Sequence, residues 1–322
     1  MSEAPRLSVV MITPDKYARL RKSISYLEQQ PECGQIELIL VSPGELPDPP
    51  ADGWRAFARV VPVRTGPFRG IGYTAAEGVR HATAPVVVVV EDHTFVGEGW
   101  VAALLDRHRE SWAGVAPAMK NANPGPISWA EILLDFGPAV HPITAGPSNS
   151  APWHHTSYKR ELLLAFDSEL ERMLAAEVWL QSRLVEAGHR FWLEERTWIS
   201  HVNISSWGSF LKAQFAGGRL YGTSRAAGER WGALRRIFFA CAGPLIPLRR
   251  SMLLARHAKR TGAPVGNLAF LTACVCGLTF ACLGEISGYL FGEGTTRRIR
   301  LAYEYDRRSH VRSEDLAGLE RN

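Results

Sequence analysis

Three adjacent residues, Glu91, Asp92 and His93, set two carboxylates beside an imidazole. Carboxylate oxygen and imidazole nitrogen can together hold Mn or Mg. An ion bound there could neutralise a diphosphate. If the chain stays extended, Glu91 and His93 share one side and Asp92 leans to the other. On their own, the three residues could equally be a polar strand end followed by a turn. The preceding residues decide the matter. Val86 to Val90 are five consecutive valines, and branching at Cβ suits a pleated strand better than a helix. A continuous apolar run, without alternation, fits a strand covered on both faces, as in a parallel sheet. In open α/β sheets ligands sit beyond the carboxyl ends of the strands. The valine strand therefore points its polar end at a binding crevice.

The neighbouring segments supply such a sheet. Residues 7–12, 35–41 and 60–63 read as strands, and 114–119 as a further one. Residues 17–30 carry apolar side chains at 17, 20, 24 and 27, one face of a helix. Helices are also expected over 74–81, capped on Thr74, over 100–108, over 158–166 and over 170–187, where Gly188 is placed to end the last. Short strands follow at 189–193 and 197–201. Residues 121–153 are rich in Pro and Gly with weak periodicity, which predicts a long irregular binding loop. The alternation implies an α/β fold, a mostly parallel Rossmann-like sheet flanked by helices with right-handed crossovers.

The chain has 322 residues, 46% apolar and 21% charged, with a formal net charge of +5. That balance excludes general disorder. The N-terminus lacks a signal-peptide pattern, so the bulk of the protein is expected in the cytoplasm. Of five cysteines, Cys274, Cys276 and Cys282 lie in one apolar segment. They read as small packed or lipid-facing side chains, and no disulfide framework is implied. After Arg219 the character turns basic and apolar, with Arg235-Arg236, Arg249-Arg250 and Lys259-Arg260 bracketing greasy runs. That distribution suits an anionic membrane surface and not nucleic acid. Residues 264–283 are nearly uncharged and about 20 residues long, enough to cross a bilayer. A membrane-inserted or interfacial pair of helices is one reading; a core helix or a contact between copies in a homo-oligomer is the other. The final 25 or so residues are mixed in charge and expected to be mobile.

The order of these pieces resembles the inverting glycosyltransferases of family 2, which have the GT-A fold, over roughly residues 5–210. The first strand with Thr13-Pro14 is similar to the family's opening strand. Glu91-Asp92-His93 stands where the family carries its metal-binding Asp-x-Asp. Residues 153–162 and then Phe166-Asp167-Ser168-Glu169 are similar to the acceptor-side segment. Arg183-Leu184 and Gly188 match the family's Arg-Leu and Gly, and counting back puts Ala176 and Glu177 on its Glu-Asp pair. The resemblance implies that Glu177 is the catalytic base, that Thr13, Pro14, Glu91 and Asp92 contact the donor, and that Glu91, His93 and His201 hold the ion. Two departures stand out. The second strand ends in Val41-Ser42-Pro43-Gly44, with Glu45 the nearest acid, where relatives keep an acidic pair. The Asp-x-Asp has become Glu-x-His.

The chemistry needs these types. An acceptor hydroxyl ionises far above neutrality, so a carboxylate must take its proton during attack. The departing nucleoside diphosphate gains charge that a cation stabilises. His154 and His155 are expected to be partly buried in the acceptor loop without ligating. Trp129, Trp153 and Trp207 are sugar-stacking platforms or simply packed. The expected organisation is a glycosyltransferase domain over 1–208, a membrane-associated region over 209–295 and a mobile tail over 296–322. The expected activity is metal-assisted transfer with inversion, from a nucleotide-sugar to a sugar, lipid-linked or polysaccharide acceptor at the cytoplasmic face of the cell membrane. The competing expectation is a non-catalytic binding or scaffold protein that keeps the fold and the membrane attachment. A nucleotidyltransferase is disfavoured, since Thr13-Pro14-Asp15-Lys16 has one lysine and no glycine.

Overall fold

The five valines form the strand their branching demands, and they sit centrally in a nine-stranded sheet. The computed structural model describes residues 4–13, 17–44, 54–67, 69–152, 154–175 and 177–321. The expected positions Pro14, Asp15, Lys16, Glu45, Trp153 and Ala176 lie outside the described residues.

The chain divides into two compact units. The first, residues 1–120 and 141–201, holds the sheet. Its strands are β1 (Leu7–Ile12), β2 (Ile36–Ser42), β3 (Arg59–Arg64), β4 (Val86–Val90), β5 (Thr94–Val96), β6 (Gly114–Asn121), β7 (Gly146–Ser148), β8 (Ser157–Lys159) and β9 (Phe191–His201). Its helices are α1 (Leu20–Glu28), α2 (Ile71–His81), α3 (Trp100–Arg107), α5 (Arg160–Leu164), α6 (Leu170–Ala175) and α7 (Glu177–Glu186). The strand order is β3-β2-β1-β4-β8-β6-β9-β5, with β7 on β9. Strands β3, β2, β1 and β4 are parallel, with Val9 opposite both Leu38 and Val88. Beyond β4 the pairings with β8 and between β5 and β9 are antiparallel. Strands β1, β2 and β4 of this block are buried on both faces, as their largely apolar runs require. Gly78 of α2 lets that helix sit directly on Val10 and Val41, whose side chains a Cβ would strike.

Several boundaries differ from expectation. Helix α2 begins at Ile71, not Thr74, whose hydroxyl donates to the Gly70 carbonyl inside the first turn. The two short strands expected near 190 and 200 are one continuous strand, β9. The helix expected over 158–166 begins as a strand, β8, because Tyr158 pairs with Val87.

The second unit, residues 121–140 and 202–322, is helical. It contains α4 (Pro126–Phe136), α8 (Trp207–Gly228), α9 (Ala233–Ala242), α10 (Ile246–Thr261), α11 (Leu268–Phe291), α12 (Thr296–Tyr305) and α13 (Ser313–Arg321). Helix α4 corrects the prediction of an irregular loop over 121–153. Pro126 opens it, the Ser128 hydroxyl returns to the Gly125 amide, and Ile127, Ala130, Ile132 and Leu133 are buried. In the segment expected to be a mobile tail, α12 and α13 are helices.

Helices α8 and α11 meet backbone to backbone. A Cβ on Gly218 or Gly222 would overlap the carbonyls of Ala281 or Glu285, and one on Gly284 or Gly288 those of Phe215 or Arg219. Both helices thus present small residues four apart, the spacing that permits closest approach. Among the described residues α11 is the single unbroken helix long and apolar enough to cross a bilayer, and half of its apolar window is buried within the protein. Glu285, in that helix, is buried but paired: Arg250 donates to it at 2.9 Å and the Tyr289 hydroxyl at 2.6 Å.

Candidate active site

Glu91 follows β4 directly, at the carboxyl edge of the parallel block. The chain does not stay extended beyond it. The Thr94 hydroxyl and amide both donate to the Glu91 carbonyl, at 2.9 and 3.3 Å, and close a turn. In that turn Asp92 does not lean away from His93. Its Oδ1 lies 2.9 Å from His93 Nδ1, and its carbonyl accepts from Ser23 Oγ. The ring's other nitrogen, Nε2, comes within 3.3 Å of Glu91 Oε2.

Strand pairing brings three more imidazoles to the same carboxylate. Thr94 of β5 pairs with His201 at the end of β9, which puts His201 Nε2 3.4 Å from Glu91 Oε2. Strand β8 runs antiparallel to β4 with Ser157 opposite Val88. Continuing that register sets residues 155 and 154 alongside Val90 and Glu91. The His155 amide indeed donates to the Val89 carbonyl, and His155 Nε2 lies 3.0 Å from Glu91 Oε2. His154 Nε2 is 3.9 Å from Glu91 Oε1. Both residues have left-handed backbone, with φ of +57° and +59°, a region costly for side chains branched from an L-carbon.

Glu177 opens α7 and is buried. Its Oε1 accepts from the His154 amide at 3.1 Å and lies 3.2 Å from His154 Nδ1. Its Oε2 accepts from the Tyr158 hydroxyl at 3.1 Å, which in turn accepts from Gln181 Nε2 at 3.3 Å. Gln181 Oε1 also accepts from the Ala151 amide, so one face of α7 holds the loop that carries the histidines. His154 therefore spans the space between Glu91 and Glu177. The residues expected to act together, Glu91, His93, His201 and Glu177, are gathered in one place. His154 and His155, expected not to ligate, sit among them. Their proximity depends on an antiparallel pairing that no local periodicity announces. Thr13 is buried at the end of β1, where its amide donates to the Val41 carbonyl, two strands from β8. Trp129 lies in α4 of the other unit, and Trp207 opens α8 with its ring edge on Phe210.

The electrostatics follow from burial and neighbours. Burial pushes the Glu91 carboxyl up, but His93, then His154, with hydrogen bonds from His155 and His201, outweigh it and hold the group well below the carboxylate range. Burial lowers His155 below the ordinary imidazole range, against the pull of Glu91. Burial first and Glu177 second raise the Tyr158 phenol well above its usual value, so it remains a donor. A carboxylate amid imidazole nitrogens offers the donor types of a metal-ligand set. The facing atoms of Glu91, His155 and His201 all lie within 4.8 Å of one another. This donor set fits a divalent ion, and these residues, with His93 beside them, would hold it.

A family model described as glycosyl transferase family 2 matches residues 8–163. Just under half of the chain is thus similar to that family. The matched stretch begins in β1 and includes Glu91, His93, His154 and His155. Its α/β architecture is the GT-A arrangement the sequence led one to expect. Glu177 and His201 lie downstream of the matched stretch. No curated protein gives a significant match. Among solved structures, the chain is similar to S. aureus TarS 1-349, at 14% identity, 91% coverage of each chain and a TM-score of 0.45. The same TarS fragment in complex with UDP matches at 13% identity, again 91% of each chain, with a TM-score of 0.46. The mannosyltransferase PcManGT from Pyrobaculum calidifontis, in complex with GDP-Man and Mn2+, matches at 14% identity over 94% of this chain and 88% of that one, with a TM-score of 0.48.

Proposed function

We propose that this glycosyltransferase moves a sugar from a nucleotide-sugar to an acceptor hydroxyl, with inversion at the anomeric carbon and with a divalent ion in the Glu91 centre. The observation that carries the reading is the His154 ring, which reaches from Glu91 on one side to Glu177 on the other. Donor phosphates at the first carboxylate and an acceptor hydroxyl at the second would leave the anomeric carbon between them. Glu177 takes the hydroxyl proton as the acceptor oxygen attacks that carbon. The bond to the diphosphate oxygen breaks on the opposite face, and its electron pair leaves with the phosphate. One base and one displacement invert the centre. Tyr158 and the His154 amide hold the Glu177 carboxylate in position between turnovers. A bound divalent ion supplies Lewis-acid neutralisation of the leaving diphosphate.

The proposed activity has a location. Residues 230–284 contain eight Lys or Arg and no Asp or Glu. On α9 and α10 the apolar Leu234, Ile237, Phe238, Leu248 and Met252 are exposed among those cations. Apolar side chains set among cations suit the cytoplasmic face of an anionic membrane. An acceptor that is lipid-linked, or a polysaccharide emerging there, follows from that position.

The test is turnover of a panel of nucleotide-sugars with Mn or Mg. Glu177→Gln should lower turnover by about 10²- to 10⁴-fold while donor still raises the melting temperature. His93→Ala should weaken that stabilisation. Activity that survives both substitutions rejects the assignment. Donor binding without turnover in the unmutated chain would favour the non-catalytic binding protein instead.

A further inference from the structure

We infer that the Glu91 centre selects a late first-row divalent ion, of the Zn2+ or Co2+ type, over Mg2+, and that His155 is one of its ligands. The inference rests on the metal-assisted reading above and adds to it the identity class of the ion and a ligand from the histidine loop.

Spacing comes first. Nε2 atoms of His155, His93 and His201 lie 3.0, 3.3 and 3.4 Å from the single oxygen Glu91 Oε2. Two ligands bound to one ion at about 2.0–2.1 Å in tetrahedral array stand about 3.3 Å apart. For Glu91, His155 and His201, whose facing atoms all lie within 4.8 Å of one another, the separations are compatible with ligands around one ion. Donor type comes second. The mutually close set, Glu91, His155 and His201, offers two imidazole nitrogens for one carboxylate. Mg2+ prefers oxygen ligands and retained waters. Imidazole suits Zn2+, Co2+ and their neighbours, whose affinities rise along the row. Preorganisation comes third. His155 and His201 are buried, the first fixed by its amide bond to Val89 and the second by strand pairing with Thr94. His93 is turned toward the centre by Asp92 at its other nitrogen, the support that ligating histidines commonly receive.

The experiment uses the full chain stripped with chelator and then titrated with Co2+, Zn2+, Mn2+ and Mg2+. Co2+ should give a visible d–d band that saturates at one ion per chain and is bleached by Zn2+. Thermal stabilisation by Co2+ or Zn2+ should appear at concentrations on the order of a hundredfold below those needed for Mg2+. His155→Asn and His155→Gln should each lose the band, while Glu177→Gln keeps it. Cobalt-edge X-ray absorption on the unmutated protein counts nitrogen ligands without relying on any variant. An oxygen-only shell, an unchanged band in both His155 variants, or Mg2+ stabilising as well as Co2+ overturns the inference. Turnover supported by Mg2+ alone would reject it and leave the transferase reading standing. Tight Co2+ binding at these residues with no turnover of any donor would do the reverse.

Discussion

His108 caps α3 and joins it to the strand that leads out of the histidine loop. Its Nε2 lies 2.9 Å from Ser157 Oγ, which donates to the Val115 carbonyl. Its Nδ1 is shut off from solvent, with no partner among the described residues. Burial first, and Lys159 second, bring its pKa down to about 3. The folded protein therefore refuses a proton that the unfolded chain accepts below 6.5. Stability is lost as pH falls through that value and continues to fall toward the folded pKa, by at most about 2 kcal/mol between pH 6.5 and 5. Urea unfolding at both pH values should show the loss, and His108→Asn should flatten it. Equal slopes in the two proteins would exclude this imidazole as the source. At this scale the sequence was partly legible. Glu91 and His93 stood out by type at the end of a strand, which is a local feature, while Glu177 came only from the family's Arg-Leu and Gly spacing. His155 did not, because nothing in a Pro- and Gly-rich stretch shows that its neighbour, Ser157, will lie opposite Val88.

Among the elements, the valine strand and the first two strands were readable because burial on both faces leaves a largely apolar run. Helix α4 was not. Its proline and its flanking glycine suggested a loop, yet Pro126 occupies the first turn, where a missing amide hydrogen costs nothing. The α8–α11 pair makes a sharper statement. At Gly284 any side chain meets the Phe215 carbonyl and the Arg219 amide, both backbone, and backbone cannot swing aside. Gly284→Val should cost at least about 3 kcal/mol in denaturant unfolding. Gly266→Ala, where a Cβ meets nothing within 4 Å, should stay within about 0.5 kcal/mol. Similar losses at both positions would mean that the helices are not in close contact.

For the whole molecule, the change of character after Arg219 was visible as composition, while the division into units was not. Residues 121–140 leave the sheet unit and join the helical one, a long-range choice with no signature in local pattern. The acid-free stretch yields a measurement on the intact chain. Arg249, Arg256 and Lys259 are exposed on α10. The protein should sediment with phosphatidylglycerol vesicles far better than with phosphatidylcholine ones. Reversing those three charges to Glu should weaken the partition about a hundredfold, at about 1 kcal/mol per cation. Equal partition onto both vesicle types would replace the interfacial reading with simple insertion. Loss of binding together with a stable dimer would assign the apolar face to a second copy.

The adjacent left-handed residues at 154 and 155 tie a strand end to a distant peptide segment. Two L-residues held at positive φ relax unless something restrains their rings, and Glu91 is a shared restraint. Truncating Glu91 to Ala should therefore loosen a stretch more than 60 positions downstream. Its earliest symptom would be a protease nick between about residues 148 and 156, visible on a gel before any loss of global fold. A chain that resists digestion as well as its parent would mean that the imidazoles hold themselves.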